Sequence, residues 1–206
     1  MDIYLVRHGE TTANKEGRYR GWSETPLTEE GYLQGKRVAE ELSKVKIQGI
    51  FSSDLSRARE TAEFIAYSQG MKMQITPQLR EINFGVWEGL NYQEAYLSYK
   101  KELVSWYNDP FGNSIPEGES LSDVYWRIHS FLESLREKRD FYWETPLVIV
   151  SHGGLLKVWL FYGLGMEKDK FWNLIVDNAS LSLVRLTGNE QQVLYYNRTS
   201  HLKPKL

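Results

Sequence analysis

Three short apolar runs, Ile3–Val6, Ile50-Phe51 and Leu147–Val150, are each followed by a segment with helical spacing, the second and third after only a few small or polar residues and the first from Thr28. That rhythm constrains the chain more than any other feature. A strand followed by a helix and then another strand folds as a crossover onto a parallel sheet, so the repeat predicts an α/β protein. Thr28-Glu-Glu supplies a capping hydroxyl and two acids for a helix that runs to about Val45. Leu55, Ala58, Ala62, Ile65 and Ala66 form the apolar stripe of the next helix, which Gly70 stops. Met73–Ile75 reads as a weaker strand. Ser120-Leu-Ser-Asp123 has capping-box form and opens a long helix bearing Leu121, Val124, Ile128, Leu132 and Leu135. Leu155–Leu164 is an apolar helix ended by Gly165. Leu181–Leu186 and Gln192–Tyr196 are late strands around Thr187-Gly-Asn189. The stretch from Asn83 to Pro116, rich in Trp and Tyr, breaks the rhythm and reads as an inserted cap over one sheet edge. The expected fold is a three-layer α/β/α sandwich: a mostly parallel central sheet and a small inserted helical cap at roughly 83–116, within one domain spanning 1–206.

In open α/β sheets ligands bind beyond the carboxyl ends of the strands. Arg7-His8-Gly9 follows the first strand, Ser52-Ser53-Asp-Leu-Ser-Arg57 the second, and Ser151-His152-Gly153-Gly154 the third. Each group has a plainer alternative: a histidine at a strand end is commonly a packing residue, and Arg57 could be a surface helix residue. Their concurrence on one rim points to an anion pocket. Two arginines can grip a phosphate, and a histidine among them can attack phosphorus through a free ring nitrogen. The chain has no cysteine, which removes thiolate nucleophiles, thiolate metal sites and disulfides. No His or carboxylate cluster has metal-ligand spacing, so neither a metal nor another cofactor is implied. The net charge of −2, without a basic stripe, gives no reason to expect nucleic acid. No apolar run approaches the roughly 20 residues of a membrane span, and no targeting segment precedes the first strand. A cytoplasmic protein without membrane or nucleic-acid partners is expected. Of the other histidines, His129 lies within a helix without an assigned role, and His201 is left open.

Leu5-Val-Arg-His-Gly-Glu-Thr11, with Asn14, resembles the signature of the histidine phosphatase superfamily, the phosphoglycerate-mutase-like proteins. Arg20–Thr28, Ser52–Ala58, Leu79–Gly89, Gly118-Glu-Ser120 and Val150–Gly154 resemble the family's further segments, in family order, up to about residue 188. The resemblance implies that His8 becomes phosphohistidine, and that Arg7, Arg57 and His152 hold the phosphoryl oxygens. Glu81 would protonate the leaving alkoxide and then deprotonate the attacking water. Asn14, Arg20, Gly21 and Gly153 match positions that line the substrate in relatives. A homodimer is plausible by the same resemblance.

The resemblance implies a small-molecule phosphomonoester as substrate. The cap carries only Lys100 and Lys101 as basic residues, which favours hydrolysis over a phosphoglycerate mutase reaction. Trp106–Pro110, Pro116–Ser120 and Phe171–Ser180 are similar to the branch holding bacterial α-ribazole-5′-phosphate phosphatases of cobalamin assembly. Trp87, Tyr92, Tyr96 and Trp106 are candidates to stack on a benzimidazole, unless they merely close the cap. A broad-specificity or phosphoserine-type phosphatase is the alternative, and a non-catalytic phospho-ligand binding module a further one. Glu117 departs from the family, where a second glycine is frequent. Its carboxylate is expected to disfavour acidic substrates if it points inward.

Overall fold

A computed structural model describes residues 1–137, 145–188 and 190–203. Asn189, the end of the expected last turn, lies outside them. Six strands form one mixed sheet in the order β3-β2-β4-β1-β5-β6: β1 Asp2–Arg7, β2 Gly49–Ser52, β3 Met73–Ile75, β4 Leu147–Ser151, β5 Leu181–Thr187 and β6 Glu190–Arg198. The first four are mutually parallel, while β5 and β6 are antiparallel additions at the β1 edge. Central β4 is buried at all five positions, as a parallel strand covered on both faces must be.

Alternation along the strands divides the core in two. Ile3, Leu5, Leu147 and Ile149 face one layer, packed by α5 (Leu121–Arg136) and α6 (Gly153–Gly163). Val6, Ile50, Val148 and Val150 face the other, packed by α2 (Glu29–Leu42) and α3 (Ser56–Gln69). These are the three layers the sequence implies. The signals at the helix ends act as read: Thr28 and Ser120 cap their helices, and Gly70 ends α3 in the left-handed region at φ 62°. Helix α2 stops at Leu42, short of Val45. A five-residue helix, α1 (Thr12–Glu16), is too short to show a period and was not expected.

The segment from Asn83 to Pro116 contains a 3₁₀ turn, Gly85–Trp87, and helix α4 (Tyr92–Asn108), broken at Tyr99. Its ends meet: Val86 N donates to Pro116 O at 3.1 Å and Glu119 N to Asn83 O at 2.9 Å. A Cβ on Gly85 would stand 2.1 Å from Pro116 O, so only glycine permits this closure. Leu103, Trp106, Phe111 and Ile115 enter the same core as Ile3 and Leu5, so the cap is fastened to the sheet layer. Glu117 is exposed and holds φ 60°, the conformation a glycine would adopt without strain. It lines neither cavity described below, so the inward-pointing carboxylate is not found. Among the described residues no helix is long and apolar enough to cross a membrane.

Candidate active site

The carboxyl ends of β1, β2 and β4 converge as the sequence predicts. Arg7 ends β1, His8 follows it, Arg57 is the second residue of α3, and His152 is the N-cap of α6. His8, Arg57 and His152 are almost fully buried. Backbone bonds tie the turns together: His8 N donates to Ser151 O at 2.9 Å, and Gly9 N to the Thr61 hydroxyl at 3.1 Å.

His8 Nδ1 lies 2.7 Å from Gly9 O. A carbonyl only accepts, so Nδ1 carries the proton and Nε2 keeps its lone pair. Burial, then the Arg57 and Arg7 charges, hold the His8 ring well below its ordinary pKa, so it stays neutral. His152 has the opposite tautomer. Its Nδ1 accepts from Arg57 Nε at 3.2 Å, which places the proton on Nε2. Burial, then Arg57, likewise push the His152 ring well below its usual value. The two rings pack edge to face, 5.1 Å apart. Arg57 is fixed further by Gly21 O at 2.7 Å and Ser23 O at 3.1 Å, and Arg7 by Val176 O at 2.6 Å. His152 Nε2 and Arg7 Nε are buried donors without an acceptor among the described residues. Such groups are costly unless a ligand accepts from them.

Glu81 brings the carboxylate. Its Oε1 accepts from Ile82 N at 2.9 Å and Leu155 N at 3.0 Å, and its Oε2 from Gly154 N at 3.0 Å. It therefore sits on the positive N-terminal end of α6. A Cβ on Gly154 would come within 2.5 Å of Glu81 Oε1, which explains the second glycine of His-Gly-Gly.

A cleft of about 150 Å³ is lined by Arg7, His8, Asn14, Arg20, Arg57 and Glu81. A second cavity of about 290 Å³ shares Arg7, Tyr19, Glu81 and Phe84 with it. The other expected ligand positions serve differently. Asn14 Oδ1 is occupied by Thr11 N, the Thr11 hydroxyl and Asn178 Nδ2, so Asn14 caps α1 as well as lining the cleft. Gly21 acts through its carbonyl on Arg57. Gly153 lies against the Arg7 guanidinium and borders the second cavity.

A model of the histidine phosphatase superfamily, branch 1, matches residues 3–199. The chain belongs to that superfamily. It is 34% identical over 202 residues to Phosphoserine phosphatase 1 of Hydrogenobacter thermophilus, covering 98% of this chain and 94% of that one. It is 39% identical over 189 residues to the "Probable phosphoglycerate mutase GpmB" of Yersinia pestis (strain Pestoides F), covering 89% and 84%. The solved α-ribazole phosphatase of Shigella flexneri superposes with a TM-score of 0.85 at 29% identity, over 96% of each chain. This histidine phosphatase is a phosphoric monoester hydrolase in its class of chemistry.

Several residues that build the site escaped the sequence reading. Asn178 donates to His8 O and Gly9 O. The Glu88 carboxylate accepts from Gly21 N, Trp22 N, Phe84 N and the Ser23 hydroxyl, and so shapes the loop whose carbonyls hold Arg57. Both stand inside motifs noted for the family, which was the available signal. Lys157, which lines the second cavity, and Arg127, which donates to Glu81 O, had none.

The aromatic expectation needs correction. Trp87 is fully buried in the core, and Tyr92 and Tyr96 stack on each other and line neither cavity. Of the four aromatics named, only Trp106 borders the second cavity. Its other aromatic walls are Tyr19, Phe84, Tyr107, Phe171 and Trp172.

Proposed function

We propose that this histidine phosphatase hydrolyses a phosphomonoester through phosphohistidine on His8, with the alcohol half of the ester in the aromatic cavity. The observation that carries this is the neutral His8, its Nε2 free, beside two arginines and two unpartnered buried donors. The nitrogen attacks phosphorus in line and the ester P–O bond breaks. Arg7, Arg57 and the His152 Nε2–H bind the equatorial oxygens, where charge gathers in the transition state. Glu81, in its acid form, passes its proton to the departing alkoxide. As carboxylate it then takes a proton from the water that attacks the phosphohistidine. Inorganic phosphate leaves and the free imidazole returns.

For the alcohol, an aromatic-walled cavity next to the phosphate cleft favours a flat heterocycle, which supports α-ribazole 5′-phosphate. The likeness to α-ribazole phosphatases in structure supports the same substrate. A second reading has its own observation. Lys157 lines this cavity among largely apolar walls, and burial lowers its pKa. An ammonium there suits a carboxylate, as in phosphoserine, the substrate named for relatives that match nearly the whole chain. Lys100 and Lys101 line neither cavity, so the cap itself supplies no cation for a phosphoglycerate.

The test is kcat/KM on α-ribazole 5′-phosphate, phosphoserine, 3-phosphoglycerate and p-nitrophenyl phosphate. A lead of more than about 10²-fold for α-ribazole phosphate, or roughly 2.7 kcal/mol of discrimination, is the expected result. A comparable lead for phosphoserine that vanishes in Lys157→Met would transfer the assignment to it. Natural esters within about tenfold of one another would mean that the aromatic walls only enclose the site.

A further inference from the structure

Glu81 stands on a stretch without regular structure, between the 3₁₀ turn Pro77–Leu79 and the one at Gly85–Trp87. An acid–base group must be held within a fraction of an ångström, and an irregular segment cannot do that alone. The N-terminus of α6 holds the carboxylate. Something else must hold the backbone.

Arg127, on the face of α5 turned to this stretch, has the geometry for it. All five of its N–H donors are used. Nη1 donates to Gln78 O at 2.9 Å and Arg80 O at 3.0 Å, and Nη2 to Glu81 O at 3.1 Å. Nε and Nη2 also grip the Glu119 carboxylate, at 2.7 and 2.9 Å. Glu119 Oε2 accepts in turn from Asn83 N at 2.8 Å. The pair thus spans Gln78 to Asn83 with Glu81 near its centre, and Trp22 Nε1 adds a second donor to Glu81 O at 3.0 Å. Both side chains are largely buried, with 19% and 15% of their surface exposed, so the ion pair is shielded from solvent and its fork is fixed.

We infer that Arg127, anchored by Glu119, is a positioning residue that sets the Glu81 carboxylate for proton transfer to the leaving group. The inference rests on the acid–base reading of Glu81. A lysine at 127 keeps the charge and loses the planar fork. It frees the stretch without emptying the space.

The experiment measures Arg127→Lys and Glu119→Gln on an alkyl phosphate and on p-nitrophenyl phosphate, whose leaving group needs no acid. Each is repeated in a Glu81→Gln background, with melting temperatures recorded. On the alkyl ester kcat/KM should fall by about 30- to 100-fold. On the aryl ester it should stay within about threefold. In the Glu81→Gln background the Arg127→Lys effect on the alkyl ester should shrink below about threefold, because the group being positioned is gone. If Glu81→Gln costs the alkyl ester heavily while Arg127→Lys lowers both esters alike, or adds independently to Glu81→Gln, the inference falls alone. Arg127 would then act on the fold or on the charge beside His152. If Glu81→Gln spares the alkyl ester, the acid–base reading falls and takes the inference with it.

Discussion

The phosphate cleft and the aromatic cavity share Arg7, Tyr19, Glu81 and Phe84, yet they are built in opposite ways. In the cleft the buried reactive groups are held by polar bonds: Arg57 by two carbonyls and His152, His8 by Gly9 O, Glu81 by three backbone N–H groups. Its few unpartnered donors mark where a ligand must accept. The cavity is walled by rings that pack edge to face or tilted, as Trp172 does with Trp106 and Tyr107, 5.6 and 5.1 Å apart. Such walls are set by shape and area, and they tolerate different occupants. The contrast assigns the chemistry to the cleft and the choice of ester to the cavity.

Substitutions on the two sides should separate those roles. Arg57→Ala should lower kcat/KM by about 10³-fold or more on every ester, since it removes transition-state charge stabilisation and the partner of His152 Nδ1. Trp172→Ala should cost about 10- to 100-fold on α-ribazole 5′-phosphate, by loss of stacking. It should leave an ester with a small alcohol within about threefold. If Trp172→Ala depresses all esters equally, the division between cleft and cavity is wrong.

The cleft also leaves a mark on stability that the cavity does not. His8 and His152 are neutral in the fold, depressed by burial and by the Arg57 and Arg7 charges, with Arg127 adding to the effect on His152. Glu81 is the carboxylate that lines the cleft with His8. In the unfolded chain both rings take up protons near pH 6.5. Stability from these groups is therefore complete above about pH 6.5 and is lost as pH falls below it. The slope approaches about 1.4 kcal/mol per pH unit for each ring. Urea unfolding at pH 7.5, 6.5 and 5.5 measures this, and His8→Asn should remove one ring's share of the slope. A stability independent of pH across that window would mean that the rings titrate normally.

The sequence made the cleft legible because its parts sit at fixed offsets from strands that announce themselves. Ile3–Val6 and Leu147–Val150 place Arg7, His8 and His152 on one rim by topology alone. The cavity was not legible in the same way. Trp87, Trp106 and Trp172 are alike as letters, and only tertiary packing sends Trp87 into the core and Trp172 to the wall. Irregular stretches hid the rest. The hold of Arg127 on Gln78, Arg80 and Glu81 joins residues 46 to 49 positions apart with no local pattern between them. The left-handed backbone at Glu117 is another such case. Pro-Glu-Gly named the departure from the family, and the structure shows a strained turn outside both cavities.

The most direct test of the account is to trap the phosphoenzyme. The protein is incubated with a ³²P-labelled phosphomonoester, quenched in alkali and digested, and the labelled peptide is identified. The account predicts a label stable to base and lost in acid, on the peptide containing His8. In His8→Ala the label should be absent and turnover should fall by about 10⁴-fold or more. A label on another residue, or turnover that survives His8→Ala, would contradict it.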